Sequence, residues 1–90
     1  MTAKRVIYEG RVQGVGFRFS VKEIAQGYDV AGWVQNLVDG RVQLEAQGDE
    51  SEVDAFLQGI EDSHLRAHIR RKVVTPMEAV VGLKGFQIRP

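Results

Sequence analysis

The sequence predicts an α+β sandwich in which two amphipathic helices cover one face of a mainly antiparallel sheet. Three observations carry that prediction. Period-two segments recur at residues 4–12, 29–37, 41–47 and 66–74, with a shorter one at Phe86 to Ile88. Two stripes of helical period, from Phe17 to Tyr28 and from Val53 to Ile60, separate them. No repeat, low-complexity run or linker divides the 90 residues, so 1–90 is expected to form a single domain.

The first strand places Val6, Tyr8 and Val12 on one side, with Glu9 and Arg11 on the other. Gln13-Gly14-Val15-Gly16 punctuates the chain before the first helix. There Phe17, Val21, Ile24, Ala25 and Tyr28 fall at i, i+4, i+7, i+8 and i+11, and Gly27 suits the terminus. Residues 29–37 and 41–47 read as strands joined at Val38-Asp39-Gly40, because Asp-Gly between alternating runs is a hairpin signal. Asp49 with Glu52 three residues on resembles a capping box, and Val53, Phe56, Leu57 and Ile60 form the second stripe. Residues 66–74 read as a strand with a cationic outer face. Thr75 to Gly85, with Pro76 and two glycines, reads as mainly loop before the closing strand. The order is β-α-β-β-α-β plus a short terminal β, the ferredoxin-like arrangement.

Composition narrows the chemistry. The chain has 12 Lys+Arg, 12 Asp+Glu and no cysteine. That removes disulfides, a thiolate nucleophile and Cys-ligated zinc. A chain of this length buries roughly 60–65% of its unfolded surface, enough for one core without staples. No apolar run approaches the roughly 18 residues of a membrane span, and Met1 to Arg5 carry no signal-peptide core. A cytoplasmic monomer without membrane association is expected. The balanced charge is itself uneven along the chain. Residues 49–62 hold six acids and no Lys or Arg, whereas residues 63–74 hold four cations, two histidines and no acid.

Two segments hold polar groups in places suited to chemistry. Gly14 and Gly16 allow backbone angles that turn successive N–H groups inward, and such a nest at a helix start binds anions. Arg18 adds a planar fork of donors. A tight turn with Arg18 as a solvated cation is the plainer alternative, and neither the dinucleotide fingerprint nor a P-loop is present. Asn36 shares a strand face with Gly32 and Val34. Its carboxamide supplies a donor and an acceptor that can hold a water, or it can simply start the turn before Asp39-Gly40. From the residues alone, both readings of each segment stand.

Together these segments carry a resemblance. Gly10-Arg-Val12-Gln13-Gly14-Val15-Gly16-Phe17-Arg18 resembles the acylphosphatase signature G-x-V-Q-G-V-x-[FY]-R at every fixed position. Gly32-Trp33-Val34-Gln-Asn36-Leu-Val-Asp39-Gly40-Arg-Val42 is similar to the family's second block, G-x-V-x-N-x-x-D-G-x-V. The resemblance covers essentially the whole chain and continues loosely through Gly85-Phe86-Gln-Ile88-Arg89. Ser63-His64-Leu65-Arg66 lacks the family's usual Gly-Pro, and Gln26-Gly27-Tyr28-Asp29 departs from its Leu-Gly-Leu.

The resemblance implies that Gln13, Gly14, Val15, Gly16, Phe17 and Arg18 bind the phosphoryl group, mainly through backbone N–H groups and the Arg18 guanidinium. It implies that Asn36 holds the attacking water. The reaction it implies is hydrolysis of a small acyl phosphate to carboxylate and inorganic phosphate, with phosphate expected also to inhibit. The residues agree with that chemistry. An acyl phosphate expels a carboxylate, whose acid has a pKa of about 4, so no general acid is required. Neither block contains His, Cys or Lys, and no cofactor or metal is expected. His64 and His68 have the i, i+4 spacing of a helical metal pair, but Arg66, Arg70, Arg71 and Lys72 surround them and no further ligand completes a set. Two other functions fit parts of the chain: an anion-binding module with negligible turnover, and an RNA-binding ferredoxin-like domain using the basic strand. No nucleic-acid partner is expected on the first reading.

Overall fold

The computed structural model describes Met1 to Pro90. Its elements are β1 (Thr2–Gly10), α1 (Phe17–Ala25), β2 (Val30–Asn36), β3 (Val42–Gly48), α2 (Glu50–Glu61), a 3-10 helix (His64–His68), β4 (Ile69–Met77) and β5 (Phe86–Arg89). One sheet runs in the order β4-β1-β3-β2-β5. The pairs β1–β3, β1–β4 and β2–β3 are antiparallel, and only β5 lies parallel to its neighbour β2. This is the expected ferredoxin-like order with one added edge strand.

Both helical stripes pack on one face of the sheet. Phe17, Val21 and Ala25 of α1 and Val53, Phe56, Leu57 and Ile60 of α2 are buried against Val6, Tyr8, Val34, Val42 and Leu44. Phe56 ties the layers together, meeting Phe86 edge-on at 5.4 Å and Tyr28 at 6.1 Å. Tyr8 is fully buried against Phe17, and its hydroxyl has no hydrogen-bond partner. Burial, with a smaller contribution from Glu61, pushes that phenol well above its ordinary pKa, so it stays neutral.

Several boundaries differ from expectation for identifiable reasons. β1 ends at Gly10, where its register with β4 shifts, so Val12 is buried from the following loop rather than from the strand. Residues 64–68 form a 3-10 helix, not strand: Ser63 caps it by accepting from the Leu65 amide at 3.1 Å, and Leu65 is buried. At three residues per turn, His64 and His68 do not share a face, which ends the metal-pair spacing argument. β4 continues through Pro76 because it is an edge strand, where a missing N–H donor is tolerated. Asp49 caps α2 by position only; its side chain makes no capping bond, and Glu52 instead accepts from the Asp29 amide at 2.7 Å. The acidic helix and basic strand meet through an ion pair, Lys72 with Glu61 at 2.8 Å.

Candidate active site

The site begins in how the loop from Arg11 to Gly16 is held. Gly14 and Gly16 sit at φ +77° and +74°, left-handed conformations that side chains disfavour. Gln13 fixes the loop from beneath: its Nε2 donates to the carbonyls of Leu37 at 2.8 Å and Arg41 at 3.0 Å, either side of the β2–β3 turn. The two sequence blocks are thereby joined by one carboxamide. Gly16 then caps α1, and the amide of Ser20 is the first to close on a helical carbonyl, that of Gly16 at 3.0 Å. The amides of Phe17, Arg18 and Phe19 are left without intrahelical acceptors, as at any helix start, and carry the positive end of the dipole.

A cavity of about 230 Å³ opens at this helix start. Gly14, Gly16, Phe17, Arg18 and Asn36 are among the residues that line it. Asn36 is the last residue of β2 and follows Val34 on the helix-facing side, so its side chain emerges where the core stops. Its Oδ1 is buried and has no hydrogen-bond partner. An unpartnered buried acceptor is costly, about 1–3 kcal/mol, unless something donates to it.

Arg18 is half-buried, and its Nη1 donates to the carbonyl of Arg89 in β5 at 2.9 Å. That bond spends one donor of the fork and orients the rest. Arg89 is itself held, its guanidinium lying 4.2 Å over the Trp33 ring on the far face of the sheet. Trp33 is thus a packing residue, as a lone strand aromatic usually is.

Not every expected residue reaches the cavity. Gln13 serves the loop through its side chain, and Val15 packs against the core; neither lines the cavity wall. Three residues join it that were not singled out as site residues. Val12 and Ile88 line it, and so does Phe19, although Phe19 lies off the helical stripe. Phe19 was hidden because periodicity reports only core-facing positions, and Ile88 because it arrives from another element. Asp39 stays outside. Its carboxylate accepts from the Arg41 side chain at 2.8 Å and backbone at 3.1 Å, and those bonds hold its pKa below the ordinary carboxylate range. A larger, more open groove of about 540 Å³ is lined by residues 10–11 and 67–70. It contains neither the glycine pair nor Asn36.

The family model described as Acylphosphatase matches residues 4–88. The chain is 42% identical over 88 residues to the acylphosphatase of Geobacillus kaustophilus, covering 98% of this chain and 94% of that one. It superposes on the crystal structure of acylphosphatase from Bacillus subtilis with a TM-score of 0.89, at 36% identity and covering 100% of both chains. It also matches 12% of a full-length HypF crystal structure described as phosphate- and nucleotide-bound, with a TM-score of 0.84 and 32% identity over 99% of this chain.

Proposed function

This chain belongs to the acylphosphatase family, and on that premise we propose how its own residues hydrolyse an acyl phosphate. The phosphoryl group sits at the start of α1, bound by the Arg18 guanidinium and by backbone amides of the loop through residues 13–18. The Asn36 carboxamide holds the attacking water with the water's oxygen toward phosphorus. The water oxygen forms the new P–O bond as the bond to the acyl oxygen breaks, and the electron pair leaves on the carboxylate. The water's proton passes to a phosphoryl oxygen, since no free carboxylate or imidazole lines the cavity. Rate comes from positioning and charge stabilisation rather than from an acid, because the leaving carboxylate needs none.

One observation carries this: a single cavity gathers Arg18, two left-handed glycines and the buried, unpartnered Oδ1 of Asn36. We propose further that the enzyme works in the cytoplasm as a monomer, without metal, cofactor or nucleic acid. No helix is long and apolar enough to cross a membrane. No group of three or more His, Cys, Asp or Glu stands close enough to hold a metal ion. Two cations of the basic strand are engaged by acids, Lys72 by Glu61 and Arg71 by Glu9 at 3.8 Å, and Arg89 covers the Trp33 ring, which weakens the case for RNA.

The test is hydrolysis of benzoyl phosphate with EDTA present. Wild type turns over and is inhibited competitively by inorganic phosphate. Arg18→Ala loses on the order of 10²–10³ in kcat/KM and loses phosphate inhibition. Asn36→Ala lowers kcat by about 10²-fold while phosphate still inhibits. Undiminished turnover in Arg18→Ala, EDTA-sensitive turnover, or an Asp39→Ala loss equal to that of Asn36→Ala would each overturn part of this mechanism. Phosphate binding with no turnover would instead identify an anion-binding module.

A further inference from the structure

Phe19 is the one large apolar residue of α1 that the fold does not use. The core stripe takes Phe17, Val21 and Ala25, all buried, whereas Phe19 stands two positions on and is 62% exposed. An aromatic residue is a poorer helix former than the Lys, Glu or Gln that an exposed helical position usually carries. Its neighbour across the cavity is similarly placed. Phe86 and Ile88 share the helix-facing side of β5; Phe86 is buried in the core, but Ile88, beside core residue Val34 on this edge strand, is 37% exposed. Both Phe19 and Ile88 line the cavity that holds Arg18 and Asn36, whereas other exposed apolar residues, such as Val38, Val73 and Val81, lie elsewhere.

The cavity therefore has two chemically distinct parts. Polar donors gather at the glycine loop, and apolar carbon from Phe19 and Ile88 forms the rim. Arg18 is the only cation among the lining residues. Once it is engaged by phosphate, a second anionic group on the substrate would find no partner and would lose hydration against the rim. Resting on the phosphoryl placement proposed above, we infer that Phe19, with Ile88, selects the acyl group. The substrate class is acyl phosphates whose acyl part is uncharged and apolar, aromatic or branched, in preference to short or anionic ones. The acyl group touches the rim equally before and during P–O cleavage, so selection falls on KM rather than kcat.

The experiment compares benzoyl, acetyl and succinyl phosphates in wild type, Phe19→Ala and Phe19→Leu, with the inhibition constant of inorganic phosphate measured in each. Acetyl and benzoyl phosphate expel carboxylates of similar basicity; succinyl phosphate also loses phosphate unaided, as its free carboxylate attacks its own acyl carbon, and that uncatalysed rate is subtracted. Wild type is expected to favour benzoyl over acetyl phosphate by about tenfold in KM, with succinyl phosphate poorest. Phe19→Ala raises KM for benzoyl phosphate by about tenfold and leaves acetyl phosphate and phosphate inhibition within about twofold. Phe19→Leu keeps most of the preference. Equal losses on benzoyl and acetyl phosphate, a loss confined to kcat, or a parallel shift in phosphate inhibition would show that Phe19 only supports the loop and would overturn the inference. A wild type that turns over all three alike refutes selection alone. One that turns over none refutes the hydrolytic placement beneath it.

Discussion

The loop before α1 and the loop before β5 are built from the same parts. Each holds two left-handed glycines: Gly14 and Gly16 at φ +77° and +74°, Gly82 and Gly85 at +80° and +69°. Each is tied down by one glutamine. Gln13 donates to the carbonyls of Leu37 and Arg41; Gln47 both donates to the Val80 carbonyl and accepts from the Val80 amide, each at 2.8 Å. Each also contains or adjoins a cation, Arg18 in one case and exposed Lys84 in the other. What differs is the next element. The first loop runs into a helix, whose opening amides converge on one point; the second runs into a strand, whose amides point alternately outward and into the ladder. The first also shares a cavity with Asn36. Glycine pairs and a glutamine staple make a rigid loop; the helix start and the Asn36 carboxamide make a site.

That contrast can be broken in steps, beginning with the glycines. A Cβ on Gly14 or on Gly82 meets no atom within 4 Å, so Gly14→Ala and Gly82→Ala test backbone conformation without a clash. Each is expected to cost about 1 kcal/mol of stability. Their activities should part: kcat/KM on benzoyl phosphate falls by on the order of 10²-fold in Gly14→Ala and stays within about twofold in Gly82→Ala. Equal activity losses would mean that the loop before α1 has no special placement.

The glutamines give a smaller split. Gln13→Ala and Gln47→Ala each remove two hydrogen bonds, and urea unfolding should show a loss of about 1–3 kcal/mol for each. Gln13→Ala should also lower kcat/KM by about tenfold, because a loop held less firmly places its amides less well. Gln47→Ala should keep its activity. The smallest effect concerns the turn to which Gln13 is tied. Arg41 holds the Asp39 pKa below the ordinary value, so this pair's stabilisation is complete above about pH 4 and fades as pH falls below it. Urea midpoints of Asp39→Asn and wild type should therefore converge near about pH 2 and separate slightly at neutral pH.

Much of this was visible along the chain, because local patterns report local structure. The stripe through Phe17, Val21 and Ala25, the hairpin at Asp39-Gly40 and the paired blocks around Gly14 and Asn36 each lie within a few residues, and all appear where expected. What escaped were features decided at a distance. Residues 66–68 alternate like a strand, yet the Ser63 cap and the burial of Leu65 draw them into a 3-10 turn. Glu52 carries the signature of a capping box but bonds Asp29, from the segment that follows α1. Pro76 suggests a break, but strand position, at an edge, decides whether a proline is tolerated. At the site, Ile88 and the Arg89 carbonyl reach Arg18 from 70 or more positions away, beyond what any motif spacing encodes.

The bond from Arg18 to the Arg89 carbonyl also ties completion of the site to the docking of β5. It closes a span of 71 positions, and the chain entropy of that closure is lost before nearby contacts offset it. The helix carrying Arg18 rests mainly on β2 and on β5 itself, so the strand that seats its guanidinium also supports its backbone. Trp33, the sole tryptophan, is covered by Arg89 of that same strand, so its fluorescence should report whether the strand that completes the site is docked.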